Sequence, residues 1–247
     1  MGATRSQRRR HSGAPLRAVG GEARREGFGG DDEPRREEAR LDLQKKSLVA
    51  TERDEDKRKA WRERLRSVDP RRLVFVDESS TNIALTTRYA RAPKGERARG
   101  SASRNWGENV TLVSAISVEG IGPCVSIEGS LNGEAFGLYV RCFLLRPALR
   151  CGQIVVADNL SAHKGREARR LIEGAGCELW FLPPYSPDLN PIEEAFSKVK
   201  GLLRKAKART FQALVEATGW ALNAVSEEDA RGFFAHCGYG VLREQPL

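Results

Sequence analysis

Apolar residues are sparse along the first part of the chain and gather into short runs only from Leu73 onward. Residues 1–40, rich in Arg, Gly and Glu, carry neither helical nor strand periodicity. Such a stretch buries too little surface to order itself and reads as a disordered or remnant extension. Leu41, Leu43, Leu48, Trp61 and Leu65 give a thin, partly helical face, so residues 41–70 read as a helical linker, broken at 67–70. Residues 73–76 are a continuous apolar run, the pattern of a strand buried on both faces, and the run stops at Asp77. Residues 86–99 read as an irregular strand and 100–108 as a loop. Residues 109–118 and 122–127 flank Glu119-Gly120 as a hairpin.

The second half alternates helix and strand. Asn132 caps a helix over 132–149, in which Phe136, Tyr139, Val140, Phe143 and Leu144 follow the 3.6-residue period. Residues 154–157 form a buried strand that ends at Asp158. A helix over 161–174, with Ala168, Leu171 and Ile172 inward, and a strand over 179–182 come next. Pro183, Pro184 and Pro187 then forbid regular structure and force a rigid turn. Asn190 caps the following helix with Pro191 at its first position, and Thr210 and Ser226 cap two more. Residues 71–239 therefore read as one α/β domain, a mixed sheet flanked by helices, with 240–247 as a tail.

Composition narrows the partner. The net charge of +9 suits a polyanion such as nucleic acid. Five cysteines, at 124, 142, 151, 177 and 237, include no CxxC pair, so structural zinc is not expected and the thiols read as reduced, in a cytoplasm. No apolar run reaches the roughly 18 residues needed to span a bilayer, and the N-terminus lacks the apolar core of a signal peptide.

The candidate chemistry lies in acids at the ends of buried elements. Asp77 and Asp158 end apolar strands, and open α/β sheets bind ligands beyond the carboxyl ends of their strands. In the helix after Asn190, Ile192, Phe196, Val199 and Leu203 share an apolar face; Glu193 lies on its flank and Glu194 points towards water. Three carboxylates supply oxygen ligands for hard divalent cations, two of which, about 4 Å apart, can hold the attacking and leaving oxygens of a phosphoryl displacement. Each acid also has a local alternative: an Asp after a strand caps a turn, and Glu193 complements a helix dipole. Strand alternation turns Glu78 away from Asp77, into a supporting place. His163, in DNLSAHK with Lys164 beside it, either touches DNA or supports an acid. Lys200 and Arg204 share the flank of Glu193, where a DNA backbone would meet positive charge, and Lys198, Lys205, Lys207 and Arg209 extend that basic surface. Trp106 and Tyr185 can stack on bases, whereas Trp180 reads as core.

Three segments, VFVDES, VVADNLSAHK and FLPPYSPDLNPIEEAFSKVK, resemble the DDE endonuclease domain of bacterial insertion-sequence transposases of the mariner superfamily. The last is the most specific, and 34 residues separate Asp158 from Glu193, as in that family. The resemblance runs from about residue 43 to 239. It implies a ribonuclease H-like fold, with Asp77, Asp158 and Glu193 as catalytic ligands of two Mg²⁺ (or Mn²⁺) ions. It also implies cleavage of double-stranded DNA at transposon ends, strand transfer into target DNA, a homodimer on the terminal inverted repeats, and a nucleoid-associated place in the cytoplasm. Family members carry an N-terminal helix-turn-helix domain. Residues 1–40 do not resemble one, so that domain is expected from an upstream segment or reading frame. The competing expectations are a catalytically silent DNA-binding fragment and a ribonuclease H-like nuclease for RNA–DNA hybrids.

Overall fold

Alternate residues of the first apolar run leave the backbone on opposite sides, and both sides are covered. Leu73 and Phe75 enter one hydrophobic cluster, Val74 and Val76 another. The structure, a computed structural model, describes residues 51–240 apart from 88, 103, 105, 106 and 108. The extension expected over 1–40, the start of the linker, nearly all of the 240–247 tail and Trp106 lie outside the described residues.

Five strands make one sheet in the order β3-β2-β1-β4-β5: β1 (Leu73–Thr81), β2 (Val110–Ser117), β3 (Gly120–Glu128), β4 (Ile154–Ala157) and β5 (Glu178–Phe181). The first three pair antiparallel, β2 with β3 through the expected hairpin, and β4 and β5 add in parallel. This is the ribonuclease H-like mixed sheet. β1 differs from its expected length. It runs on to Thr81 because β2 keeps pairing with it, as far as Thr81 opposite Val110, after β4 has stopped at Ala157. Asp77 is therefore inside a strand, at the point where β1 outruns β4.

On one face lie α2 (Gly133–Tyr139), which continues as a π-helix over Val140–Ala148, and α3 (Arg166–Gly174). Asn132 caps α2 by accepting the Ala135 N–H at 2.8 Å, as expected. The helix expected over 161–174 is split instead: a 3₁₀ turn (Ser161–Lys164) precedes α3, and Gly165 separates the two. On the other face lie α4 (Pro191–Ala206), α5 (Phe211–Asn223) and α6 (Glu227–His236), preceded in the chain by α1 (Glu55–Leu65). Phe75, fully buried, packs edge-on against Phe234 with centroids 5.4 Å apart, and Ile192, Phe196 and Val199 fill the same cluster. Removing a ring of this kind costs about 3–5 kcal/mol.

The strand expected over 86–99 is absent among the described residues. Pro93 and the positive φ of Gly95 make a turn there, and Arg209 satisfies the carbonyls of Ile83 and Leu85 just upstream. α1 is docked rather than free: Trp61 is buried, and its Nε1 donates to the Tyr239 hydroxyl at 3.2 Å. No helix among the described residues is long and apolar enough to cross a membrane.

Candidate active site

In the parallel β1–β4 pair, Val76 stands opposite Ala157, so the next residues, Asp77 within β1 and Asp158 just past the end of β4, stand side by side. Both line a cleft of about 410 Å³ that also takes in Asn159, Pro183, Pro184, Tyr185, Asn190 and Glu193. The proline-rich turn forms one wall. Its chain reverses at Tyr185, which has a positive φ of 50° and is exposed at the mouth. Glu193 comes from the first turn of α4 and is exposed on the open side of the cleft.

The turn is held from behind. The buried Arg58 of α1 donates to both carboxylate oxygens of Asp188, at 3.0 and 2.6 Å, and the Tyr239 hydroxyl donates to the Leu189 carbonyl at 2.5 Å. Asn190 heads α4 but does not cap it with its side chain, contrary to expectation. Its Nδ2 donates instead to Asp77 Oδ2 at 2.7 Å, while its Oδ1 is buried with no partner among the described residues. Local sequence gave no sign of this use. Asn190 stands where a capping residue belongs, and Asp77 is remote along the chain.

His163 is fully buried, so of its two expected roles the geometry is that of support. Nδ1 lies 2.6 Å from Asp158 Oδ1. Nε2 lies 3.1 Å from Glu78 Oε2, close enough for charge pairing though off the line of a hydrogen bond. Glu78 thus leaves Asp77's face and meets His163 from the other side of the strand. Burial opposes a charge on His163, but Asp158 and Glu78 outweigh it and lift its pKa to about 9. Burial also works to raise Asp158; the His163 hydrogen bond and the Leu160 N–H overcome it, and Asp158 falls below the usual carboxylate range. Asp77 goes the other way, to about 8, through burial first and then the charge of Asp158. Glu193, exposed as a residue but partly desolvated at its carboxylate, is also raised, with Lys200 opposing and Asp158 and Glu78 adding to the rise.

Asp77, Asp158 and His163 each place a potential ligand atom within 4.8 Å of the others. A protonated His163 has no lone pair to give, so the oxygen donors are the carboxylates, with Glu193 across the cleft. This donor set fits a hard divalent cation: carboxylate oxygens, partly buried, lining one cleft. Of the expected DNA-facing residues, Lys164 is exposed, Lys200 and Arg204 are half-buried, and His163 faces inward. Lys198 is tied to Asp229 and Arg209 to backbone carbonyls, so neither is a free cation. Trp180 is core, as expected, with the Arg64 guanidinium over its ring. Glu194 corrects its expectation: it pairs with His236 of α6 instead of pointing into water.

No curated protein sequence matches this chain. Among solved structures, the Mos1 strand transfer complex is similar at 20% identity and a TM-score of 0.63, over 81% of this chain and 64% of that one. The Mos1 mariner paired end complex with Mn gives 21% and 0.63, over 79% and 64%. The catalytic domain of Mos1 mariner transposase gives 16% and 0.56, over 74% and 86%. The likeness is one of fold, and this chain spans about two thirds of the length of the Mos1 chains in those complexes. The family model for DDE superfamily endonucleases matches residues 72–215, which contain Asp77, Asp158, Asn190 and Glu193. The chain belongs to the DDE superfamily of endonucleases.

Proposed function

We propose that this chain is the catalytic domain of a bacterial insertion-sequence transposase of the mariner superfamily. Its reaction is metal-dependent cleavage of double-stranded DNA at transposon ends, followed by transfer of the freed strand into target DNA. The observation that carries this reading is the juxtaposition of Asp77 and Asp158 at the end of β4, in one cleft with Glu193.

Asp77, Asp158 and Glu193 would hold Mg²⁺ or Mn²⁺. When bound, such ions lower the pKa of the attacking water or 3′-hydroxyl and stabilise the leaving oxyanion. The chain's own residues do the rest. His163 keeps Asp158 ionised and fixes its orientation, and Asn190 holds Asp77. Lys200 and Arg204 lie along the helix that carries Glu193, where they can meet backbone phosphates, and Lys164 sits on the Asp158 side. Tyr185, exposed at the mouth, offers a ring face to an unstacked base. The Mos1 structures include paired end and strand transfer complexes, which supports a homodimer on two DNA ends here. End recognition would then come from a helix-turn-helix domain outside the described residues.

The test is nicking of inverted-repeat DNA by the purified chain in Mg²⁺ or Mn²⁺. Asp77→Ala, Asp158→Ala and Glu193→Ala should each abolish it. Nicking that survives all three changes removes the assignment. Salt-sensitive DNA binding with no cleavage in any divalent cation would favour the catalytically silent fragment.

A further inference from the structure

We propose that Asn190 is a positioning residue that sets the orientation of Asp77 and its distance from Glu193. The inference rests on the proposed metal-dependent nuclease site. Asn190 is 3% exposed, and its side chain reaches across from the head of α4 to β1. Two donors fix the Asp77 carboxylate: the Glu78 N–H on Oδ1 at 2.8 Å and Asn190 Nδ2 on Oδ2 at 2.7 Å. A carboxylate oxygen accepts about two hydrogen bonds, so each oxygen keeps a lone pair for a cation. With both oxygens tied, the carboxylate cannot rotate, and the remaining lone pairs keep one direction.

The same bond sets a distance. Asn190 stands three residues before Glu193, and its carbonyl accepts the Glu193 N–H at 3.1 Å. Asp77 and Glu193 belong to different elements, and Asn190 links the two through one hydrogen bond on each side. Its own place is fixed by the turn behind it, through Arg58 on Asp188 and Tyr239 on Leu189. The diversion of the side chain from its own helix supports a role at the site. An Asn at a helix head ordinarily accepts a first-turn N–H. Here the amide nitrogen serves Asp77, and Oδ1 stays buried without a partner. With a cation bound, Asp77 would be ionised and only accept, so the nitrogen is the end of the amide that would then face it.

The experiment compares wild type, Asn190→Ala, Asn190→Ser and Asp77→Ala in the full chain. Mn²⁺ binding is titrated by calorimetry, at a temperature where circular dichroism finds every variant folded, and nicking is measured alongside. Serine is favoured at helix heads but is one bond too short to reach Asp77. A purely helix-capping role would therefore be rescued by serine, and a positioning role would not. Both Asn190 variants should weaken Mn²⁺ binding and slow nicking by about 10–100-fold, as loss of a partner behind a ligand does, with KM for DNA unchanged. Wild-type Mn²⁺ affinity and nicking in Asn190→Ser would overturn the proposal and leave the nuclease reading standing. Mn²⁺ binding that is unaffected by Asp77→Ala would take down the metal site itself, and this inference with it.

Discussion

Asp77, within β1, and Asp158, just past β4, stand side by side, and each accepts two good hydrogen bonds. Asp158 takes them from His163 and from the Leu160 N–H; Asp77 takes them from Asn190 and from the Glu78 N–H. Their acidities nonetheless move in opposite directions, Asp158 down and Asp77 up to about 8. Hydrogen bonds are equal in number, so number is not the cause. One hydrogen-bond partner of Asp158 carries a positive charge, whereas both hydrogen-bond partners of Asp77 are neutral, and Asp158, Glu78 and Glu193 press on it as like charges. Asp77 is also the more deeply buried of the two, at 6% exposed. The chain hydrogen-bonds a cation to one aspartate and gives the other only neutral donors. The surplus of carboxylate charge around Asp77 is what a divalent ion would offset.

The comparison breaks most sharply at His163. In His163→Ala, Asp158 loses its cation and becomes electrostatically like Asp77, with Glu78 uncompensated behind it. We expect nicking to fall about 100-fold. Stability should drop by about 2 kcal/mol, less than the 3–5 kcal/mol of a fully buried pair, because the Asp158 side chain is 43% exposed. Chemical denaturation and a nicking assay read the two effects. Unchanged nicking would mean that Asp158 does not depend on His163.

On the Asp77 side the weak point is farther away. Arg58→Met keeps much of the buried side-chain volume but removes the bidentate bond to Asp188, and with it the brace on the turn that carries Asn190. Hydrogen bonds to charged groups contribute about 1.5–3 kcal/mol each, and Asp188, half-exposed, recovers part of that from water, so a loss of about 2 kcal/mol is expected. Nicking should fall less than in His163→Ala, and the Mn²⁺ concentration it requires should rise. A variant that loses stability with no change in Mn²⁺ requirement would separate the brace from the site.

What the sequence made legible was local. The β2–β3 hairpin is readable because its two strand segments and the turn between them lie within one short stretch. The strand pattern of residues 73–76 is readable too, but its end is not, since β1 continues only as far as β2 pairs with it. Asn190 was legible as the head of a helix and illegible as a partner of Asp77, a contact that no local pattern encodes. A helical wheel gave the angle of Glu194 without the presence of α6, whose His236 claims it. His163 was a histidine near a helix start, and only the folded sheet puts Glu78 and Asp158 on its two nitrogens. The acids themselves were visible because two of them follow apolar runs and the third opens an amphipathic helix.

The asymmetry between the aspartates also predicts a pH dependence. In the metal-free protein, Asp77 holds its proton up to about pH 8, whereas an unfolded aspartate loses it near 3.8. Across that window the native state binds more protons, so stability falls as pH rises. His163, raised from 6.5 to about 9, stabilises the fold fully below pH 6.5, and that contribution is lost as pH rises through 9. The melting temperature should therefore fall steadily from pH 5 to 9. Asp77→Asn should remove the earlier part of the fall and leave the later part, and saturating Mn²⁺ should flatten the curve wherever Asp77 ionises to bind it. A flat profile in the metal-free wild type would refute the unequal charge states.

Glu193 completes the comparison on a smaller scale, because Lys200 is the cation that counters it. The two lie on α4, and Lys200 is half-buried, with its charge shared between Glu193 and whatever approaches the open side of the cleft. If that visitor is a DNA backbone, Lys200→Ala removes one phosphate contact, and the slope of log K against log salt should shrink by about 1. Affinity should fall by a similar factor for every DNA sequence, since a phosphate contact carries no base information. The variant should also leave Glu193 less readily ionised, so more Mn²⁺ is needed for the same nicking rate. Fluorescence anisotropy over a salt series measures the first effect and a metal titration the second. An unchanged slope together with a raised Mn²⁺ requirement would assign Lys200 to the acids alone and move the DNA path off this flank of α4.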